Sequence, residues 1–305
     1  MGKIAFVFSG QGAQYVGMGK SLYDTVSGAK KLYENAESIR PGTMKQSFEG
    51  TDEELKFTCN TQPCLYLTEM AAAIALEENG INADCVAGFS LGEIAALAFA
   101  KSYSPEKGFE IVTKRGALMH EAAGKADTSM SAIMKLSADQ VTEAVKAYDR
   151  LYAVNYNCPG QTVVSGLKES VEAFSEKAVE MGGRAIPLAV SAAFHSPFMA
   201  DAAKAFGEYL SQCDITAPKK PIYANYTARP YGENVAQYLE YQMMSPVRWQ
   251  ETVENMIADG VSDFIEVGAG KTLCGLIKKI SKDVRVYSVQ DAESLADTIL
   301  ALKGE

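Results

Sequence analysis

The chain has 305 residues, 47% of them hydrophobic and 22% charged, with a net charge of -9. That is enough apolar material for one large domain or two unequal ones. The acidic balance excludes nucleic acid or an anionic membrane as the main partner, because either demands a basic surface.

Residues 1–8 run straight into a strand pattern, without the charged and apolar regions of a leader peptide. The longest apolar run, residues 94–100, is too short to cross a bilayer. The expected location is the cytoplasm. The six cysteines, Cys59, Cys64, Cys85, Cys158, Cys213 and Cys274, stand singly and lack the paired spacing of a zinc site. They read as reduced core residues, and no metal site is expected.

Residues 4–8 form an apolar run that predicts a buried strand, followed by the turn Ser9-Gly10-Gln11-Gly12. Glycines on both sides of Gln11 let its backbone N–H approach a ligand closely, and they equally suit an ordinary tight turn. A helix is expected over 19–37, a polar turn over 52–55, and a helix over 61–79 that Pro63 opens. Next comes Gly88-Phe89-Ser90-Leu91-Gly92, between a short apolar run and an alanine-rich helix ending near residue 100. This is the G-x-S-x-G pattern of a nucleophile elbow, in which a sharp strand-to-helix turn pushes a serine hydroxyl into the open. The pattern alone arises by chance in about one chain in ten of this length; its placement between strand and helix makes it informative.

Ser104, Pro105 and Glu106 predict a capped helix start, with the helix continuing to about residue 122. Arg115 falls on its apolar line with Ile111, Leu118 and Ala122, and positions 111, 112, 118 and 119 offer it no acid. That leaves open a distant acid of the same chain, water reached by snorkelling, or the carboxylate of a ligand.

The texture changes at residue 126. Strands are expected over 131–136, 152–157, 161–165 and 184–190, with helices over 139–148 and 169–181, the split βαβ order of a small ferredoxin-like sandwich. Asn155, Asn157 and Gly160-Gln161 sit at its hairpin, where turn formation explains them sufficiently. His195 lies on the loop before a helix that Ser196 and Pro197 open. A histidine so placed, in a chain with an elbow serine, is a candidate base; His120 reads as structural or exposed.

A strand over 221–226 and helices over 235–244 and 249–258 follow. The stretch from Phe264 to Thr272, with Gly268, Gly270 and Lys271, imitates a phosphate loop but is too short to wrap a triphosphate. Lys278, Lys279, Lys282 and Arg285 make a local basic cluster, either a solvated face or a landing place for an acidic partner.

Taken together, Phe8 to Gln14, Thr61-Gln62-Pro63, Gly88 to Glu93, Arg115-Gly116, Asn155 to Gln161, Phe194-His195, Gln242 to Trp249 and Glu266 to Gly270 resemble, in order and spacing, the malonyl-CoA:acyl carrier protein transacylase family. The match covers almost the whole chain. Phe89 departs from it, standing where the family usually has histidine.

The resemblance implies an α/β fold with an α/β-hydrolase-like core over 1–125 and 191–305 and a ferredoxin-like subdomain over 126–190. It implies Ser90 as nucleophile, His195 as base, the Gln11 and Leu91 amides as oxyanion hole, the Gln242 main-chain carbonyl as the group orienting the histidine, and Arg115 as the holder of the malonyl carboxylate. The implied reaction is ping-pong: malonyl-CoA acylates Ser90, and the phosphopantetheine thiol of an acidic acyl carrier protein takes the malonyl group. No permanently bound cofactor, metal, nucleic acid or membrane partner is implied. The pathway implied is fatty acid synthesis. Neighbouring readings are a free-standing malonyl-selective acyltransferase of a polyketide synthase and a serine acyl hydrolase.

Overall fold

The computed structural model describes residues 2–190 and 192–304. Among the described residues nine strands form two sheets: β1 Lys3–Phe8, β2 Cys85–Gly88, β3 Thr128–Met134, β4 Leu151–Cys158, β5 Gln161–Leu167, β6 Arg184–Pro187, β7 Ile222–Tyr223, β8 Val261–Val267 and β9 Arg285–Val289. The larger sheet has the order β7-β2-β1-β8-β9, and all its pairings are parallel. Its central strand carries Ala5, Phe6, Val7 and Phe8 without exposure, the near-continuous apolar run of a strand covered on both faces. Helix Thr58–Glu78, beside the sheet, is apolar almost all round and accordingly buried.

Strands β1 and β2 run in register, Phe8 opposite Gly88. The turns carrying Gln11 and Ser90 therefore leave the same edge side by side, at the carboxyl ends of the strands, where open parallel sheets bind ligands.

The smaller sheet is antiparallel, in the order β4-β5-β3-β6. Alternation splits its faces. Ile133 and Val164 pack with Val141 and Phe174 of helices Ala138–Ala144 and Lys168–Glu180, whereas Met130, Ala132 and Val163 turn toward the large core. A bridge between Asn155 and Val247 ties β4 to the larger unit, with hydrogen bonds of 2.9 Å from Tyr156 N to Val247 O and 2.8 Å from Val247 N to Val154 O.

Several elements differ from their sequence expectation. The helix expected to open with Pro63 starts at Thr58 and carries the proline in its interior. The extended Phe57 ends the previous helix, so the new one begins at once. The expected 19–37 helix is two, Lys20–Thr25 and Ser27–Ile39, because Val26 adopts φ -116 and ψ 120 between them. Residues 52–55, expected as a turn, lie in helix Asp52–Lys56, which a capping box between Thr51 and Glu54 stabilises. The strands expected over 184–190 and 221–226 are shorter, ending at Pro187 and reduced to two residues respectively. Strand β9, which begins at Arg285 of the basic cluster, and helix Ala292–Lys303 had no expected counterpart.

Candidate active site

The elbow is built by close approach. A Cβ on Gly88 would lie 2.0 Å from the carbonyl carbon of Gly92, and one on Gly92 would lie 2.4 Å from Phe8 O. Only glycine lets the strand end, the turn and the helix Gly92–Phe99 pack this tightly. Ser90 takes φ 55, a left-handed conformation that costs a residue with a side chain about 1 kcal/mol or more. The surroundings impose it. Ser90 N donates to Asn225 Oδ1 at 2.7 Å, Asn225 Nδ2 donates to Gly88 O at 2.6 Å, and Gln242 Nε2 donates to Ser90 O at 2.7 Å.

His195 Nε2 lies 2.8 Å from Ser90 Oγ, and its Nδ1 lies 2.9 Å from the main-chain oxygen of Gln242. A carbonyl can only accept, so Nδ1 carries the hydrogen and Nε2 presents a lone pair to the serine hydroxyl. Burial, joined by the positive charge of Arg115, pushes the imidazole down to about 4. The ring is the free base at neutral pH.

Arg115 is fully buried on helix Pro105–Ala123. Its guanidinium donates to Gln62 Oε1 at 2.9 Å, to Gln242 Oε1 at 2.7 Å and to Ser90 Oγ at 3.1 Å. Its Nε has no partner among the described residues. Two side-chain amides and a hydroxyl hold the fork; none of these bonds goes to a carboxylate. Gly116 permits the approach that brings Gln62 close, since a Cβ there would lie 3.0 Å from Thr58 O.

Gln11, on the turn after β1, donates its side-chain amide to Thr58 Oγ1 at 3.1 Å. Among the described residues the backbone N–H groups of Gln11 and Leu91 make no hydrogen bond to the protein. Both belong to the turns that leave β1 and β2 at the same edge of the sheet. A cavity of about 90 Å³ adjoins Ser90, His195, Gln11, Gln62 and Met119. A second, of about 210 Å³, opens beside it along Gln11, Phe89, Asn155, Asn157, Gln161 and Leu273. Among the described residues the buried Oδ1 atoms of Asn155 and Asn157 have no hydrogen-bond partner. Turn formation alone does not explain that arrangement. Phe89 sets its ring edge-on to Trp249, centroids 5.5 Å apart, and packs where a polar residue would have no such contact.

Sequence reasoning did not single out Asn225, Glu93 or Tyr231. Glu93 is wholly buried, with Oε2 accepting from Gln242 Nε2 at 2.9 Å and Asn225 N at 3.1 Å, and Oε1 bonded to the Tyr231 hydroxyl. The signal for Glu93 was an acid in an otherwise apolar helix; Asn225 and Tyr231 gave none, lying far off in sequence.

The basic cluster is not uniformly free. Arg285 pairs with Asp263 at 2.7 Å, and Lys278 Nζ donates to Val284 O at 2.5 Å. Lys282 is exposed, and exposed Lys279 reaches Gln161 Oε1 at 3.4 Å, at the mouth of the larger cavity. The turn that imitates a phosphate loop is plugged: Glu266 accepts from Leu273 N at 3.0 Å and Cys274 N at 2.7 Å. An anion would meet the protein's own carboxylate there. His120 is exposed and stands edge-on to Phe57. All six cysteines are free, three of them buried. Among the described residues no cluster of three or more His, Cys, Asp or Glu could hold a metal, and no helix is long and apolar enough to cross a membrane.

The acyl transferase domain family matches residues 5–297. A malonyl CoA-acyl carrier protein transacylase of Bacillus subtilis is 42% identical over 313 residues, which cover 100% of this chain and 99% of the relative. The chain belongs to the malonyl CoA-acyl carrier protein transacylase family. A transacylase of that name from Clostridium perfringens superposes with a TM-score of 0.95 at 35% identity, over 99% of this chain and 98% of the other. A malonyl-transacylase solved in complex with its type II PKS acyl-carrier protein superposes at 0.94 with 32% identity, over 99% and 100% of the two chains. Both likenesses take in the parallel and the antiparallel sheet.

Proposed function

We propose that the chain is an acyltransferase that moves malonyl from malonyl-CoA to the phosphopantetheine thiol of an acyl carrier protein through a malonyl ester on Ser90. The observation that carries the reading is the meeting of two groups on one atom: Ser90 Oγ lies 2.8 Å from a neutral imidazole and 3.1 Å from a buried guanidinium.

In the first half-reaction His195 Nε2 takes the hydroxyl proton as Ser90 Oγ attacks the thioester carbonyl. The oxygen that gains charge is met by the N–H groups of Gln11 and Leu91. When the C–S bond breaks, His195 returns its proton to the departing CoA thiolate. In the second half-reaction His195 takes the proton of the carrier's thiol, whose sulfur attacks the ester, and then reprotonates Ser90. The Gln242 carbonyl keeps the imidazole in the tautomer both halves need. Arg115 pairs with the free malonyl carboxylate, which its planar fork matches bidentately and which acetyl lacks. The larger cavity, lined by Asn155, Asn157 and Gln161, leads a pantetheine arm to Ser90. Exposed Lys279 and Lys282 supply the cationic rim for an acidic carrier; Lys278 and Arg285, tied to Val284 O and Asp263, add little to it.

The wider architecture belongs to the same reading. Residues 1–125 and 191–305 form an α/β-hydrolase-like core, supported by the nucleophile at a strand-turn-helix elbow. Residues 126–190 form a ferredoxin-like subdomain, supported by the β4-β5-β3-β6 order of a split βαβ unit. The reaction needs no bound cofactor, its compartment is the cytoplasm, and its pathway is fatty acid synthesis. Service to a polyketide carrier is the second reading, favoured by the likeness to a transacylase bound to a type II PKS acyl-carrier protein.

Intact-protein mass spectrometry tests the proposal. One malonyl adduct on Ser90 is expected with malonyl-CoA, little with acetyl-CoA, and discharge on adding holo acyl carrier protein. Arg115→Ala loses malonyl loading about a hundredfold and loads acetyl at least as well as the parent. Reversing Lys279 and Lys282 slows discharge without slowing loading. Absence of a malonyl adduct overturns the reading, and hydrolysis outpacing discharge turns it into a hydrolase.

A further inference from the structure

Glu93 makes no hydrogen bond to Ser90, His195 or Arg115, yet its partners Gln242 and Asn225 hold all three. Its Oε2 binds Gln242 Nε2 at 2.9 Å, and the same Gln242 accepts from Arg115 at 2.7 Å through Oε1 and from the His195 ring through its main-chain oxygen. Its Oε2 also binds Asn225 N at 3.1 Å, and Asn225 holds Gly88 O and Ser90 N. Its Oε1 meets the Tyr231 hydroxyl, which anchors the carboxyl from the other side.

We propose that Glu93 is a positioning residue for acyl selectivity: by fixing the side-chain amide of Gln242, it aims the Arg115 fork at the acyl carboxylate. The inference rests on the malonyl-transfer reading. The Gln242 amide has two ends. With Nε2 held by Glu93 Oε2 at 2.9 Å and by Ser90 O at 2.7 Å, Oε1 can point only at Arg115; if Glu93 lets go, Ser90 O alone holds Nε2, and the amide can turn and present its N–H groups to a cation. A buried guanidinium facing those donors would lose a partner and its direction, while the main-chain bond from Gln242 to His195 would survive. Selectivity therefore suffers more than catalysis.

The carboxyl is asked for reach and acceptor oxygens more than for charge. Burial pushes it up to about 7, so at neutral pH a substantial fraction already carries a proton. Tyr231, whose hydroxyl can donate or accept, accommodates that.

Two variants separate reach from charge. Glu93→Gln keeps the length, with its oxygen toward Gln242 and Asn225 and its NH2 toward the Tyr231 hydroxyl. Glu93→Asp keeps the carboxylate but is one methylene too short to span all three partners. The measurement is the ratio of kcat/KM for Ser90 loading by malonyl-CoA and by acetyl-CoA, in each variant and the parent. Because unfolded protein lowers both rates equally, the ratio is blind to a merely destabilised chain. Glu93→Asp is expected to lower it about tenfold, the worth of one buried hydrogen bond, and Glu93→Gln about threefold at most. An unchanged ratio in Glu93→Asp overturns the inference, as does a larger loss in Glu93→Gln than in Glu93→Asp, which would make charge the requirement. A parent that loads no malonyl fails the underlying function instead, so the two failures read differently.

Discussion

Two turns at the same edge of the parallel sheet are built alike and do opposite things. After β2 the chain passes Gly88-Phe89-Ser90-Leu91-Gly92 into a helix; after β8 it passes Gly268-Ala269-Gly270-Lys271 into another. Both use glycines in a tight strand-to-helix turn, and both aim helix amides at the ligand edge. The second is closed by its own strand, because Glu266 places a carboxylate on Leu273 N and Cys274 N. The first is braced from outside: Asn225 occupies Ser90 N and leaves Leu91 N open. The local sequence grammar thus specifies a turn, and what fills its amides decides whether the turn is structure or site.

The comparison is broken most severely at Asn225. Asn225→Ala removes the brace from both sides of the elbow, the bonds to Ser90 N and Gly88 O, and leaves the φ 55 of Ser90 unsupported. Two lost buried bonds of about 1–1.5 kcal/mol each predict a loss of about a hundredfold in the single-turnover rate of Ser90 acylation. A rate within threefold of the parent would show that the glycines hold the elbow unaided.

The matching change in the other turn is Glu266→Ala. It strands two helix amides and empties buried space, so the expected cost is about 2 kcal/mol of unfolding free energy in urea titrations. Ser90 loading per folded molecule stays as in the parent. A loading defect comparable to that of Asn225→Ala would mean that the closed turn also serves the reaction.

The legibility of the chain divides along the same line. Ser90, with its flanking glycines, was readable because the elbow's steric demand is local and leaves a pattern. Arg115 was readable as a question, an arginine on an apolar stripe with no acid nearby, and the fold answers it with Gln62, Gln242 and Ser90. The order of elements over 126–190 was readable from alternating periods. Asn225 was not, because it meets Ser90 across 135 residues of chain and nothing around it repeats. The split of the first long helix at Val26 was not, because the apolar spacing runs on through it. Arg285 looked like part of a free cationic face because its partner Asp263 lies on a neighbouring strand, and strand pairing cannot be read from one strand.

The smallest expected effect is on pH dependence, where the acid that closes one turn and the base that faces the other differ in sign. Burial raises Glu266 above the usual carboxylate range despite its amide partners. Its contribution to stability is therefore fullest below the unfolded carboxylate value and is lost as pH rises through the folded one. His195 is the reverse. Its folded value is depressed from 6.5 to about 4, so as pH falls the unfolded chain takes the proton first, and the native site keeps a free base well below the ordinary imidazole range. Acylation of Ser90 by malonyl-CoA, measured as kcat/KM between pH 8 and 5, should change by no more than about twofold, with the acid limb below that window. In Arg115→Ala the neighbouring positive charge is gone, so the limb moves up toward neutrality even as the rate falls. A parent limb centred near the ordinary imidazole value would mean that the site opens to water before it reacts, and that the depressed basicity belongs only to the closed form.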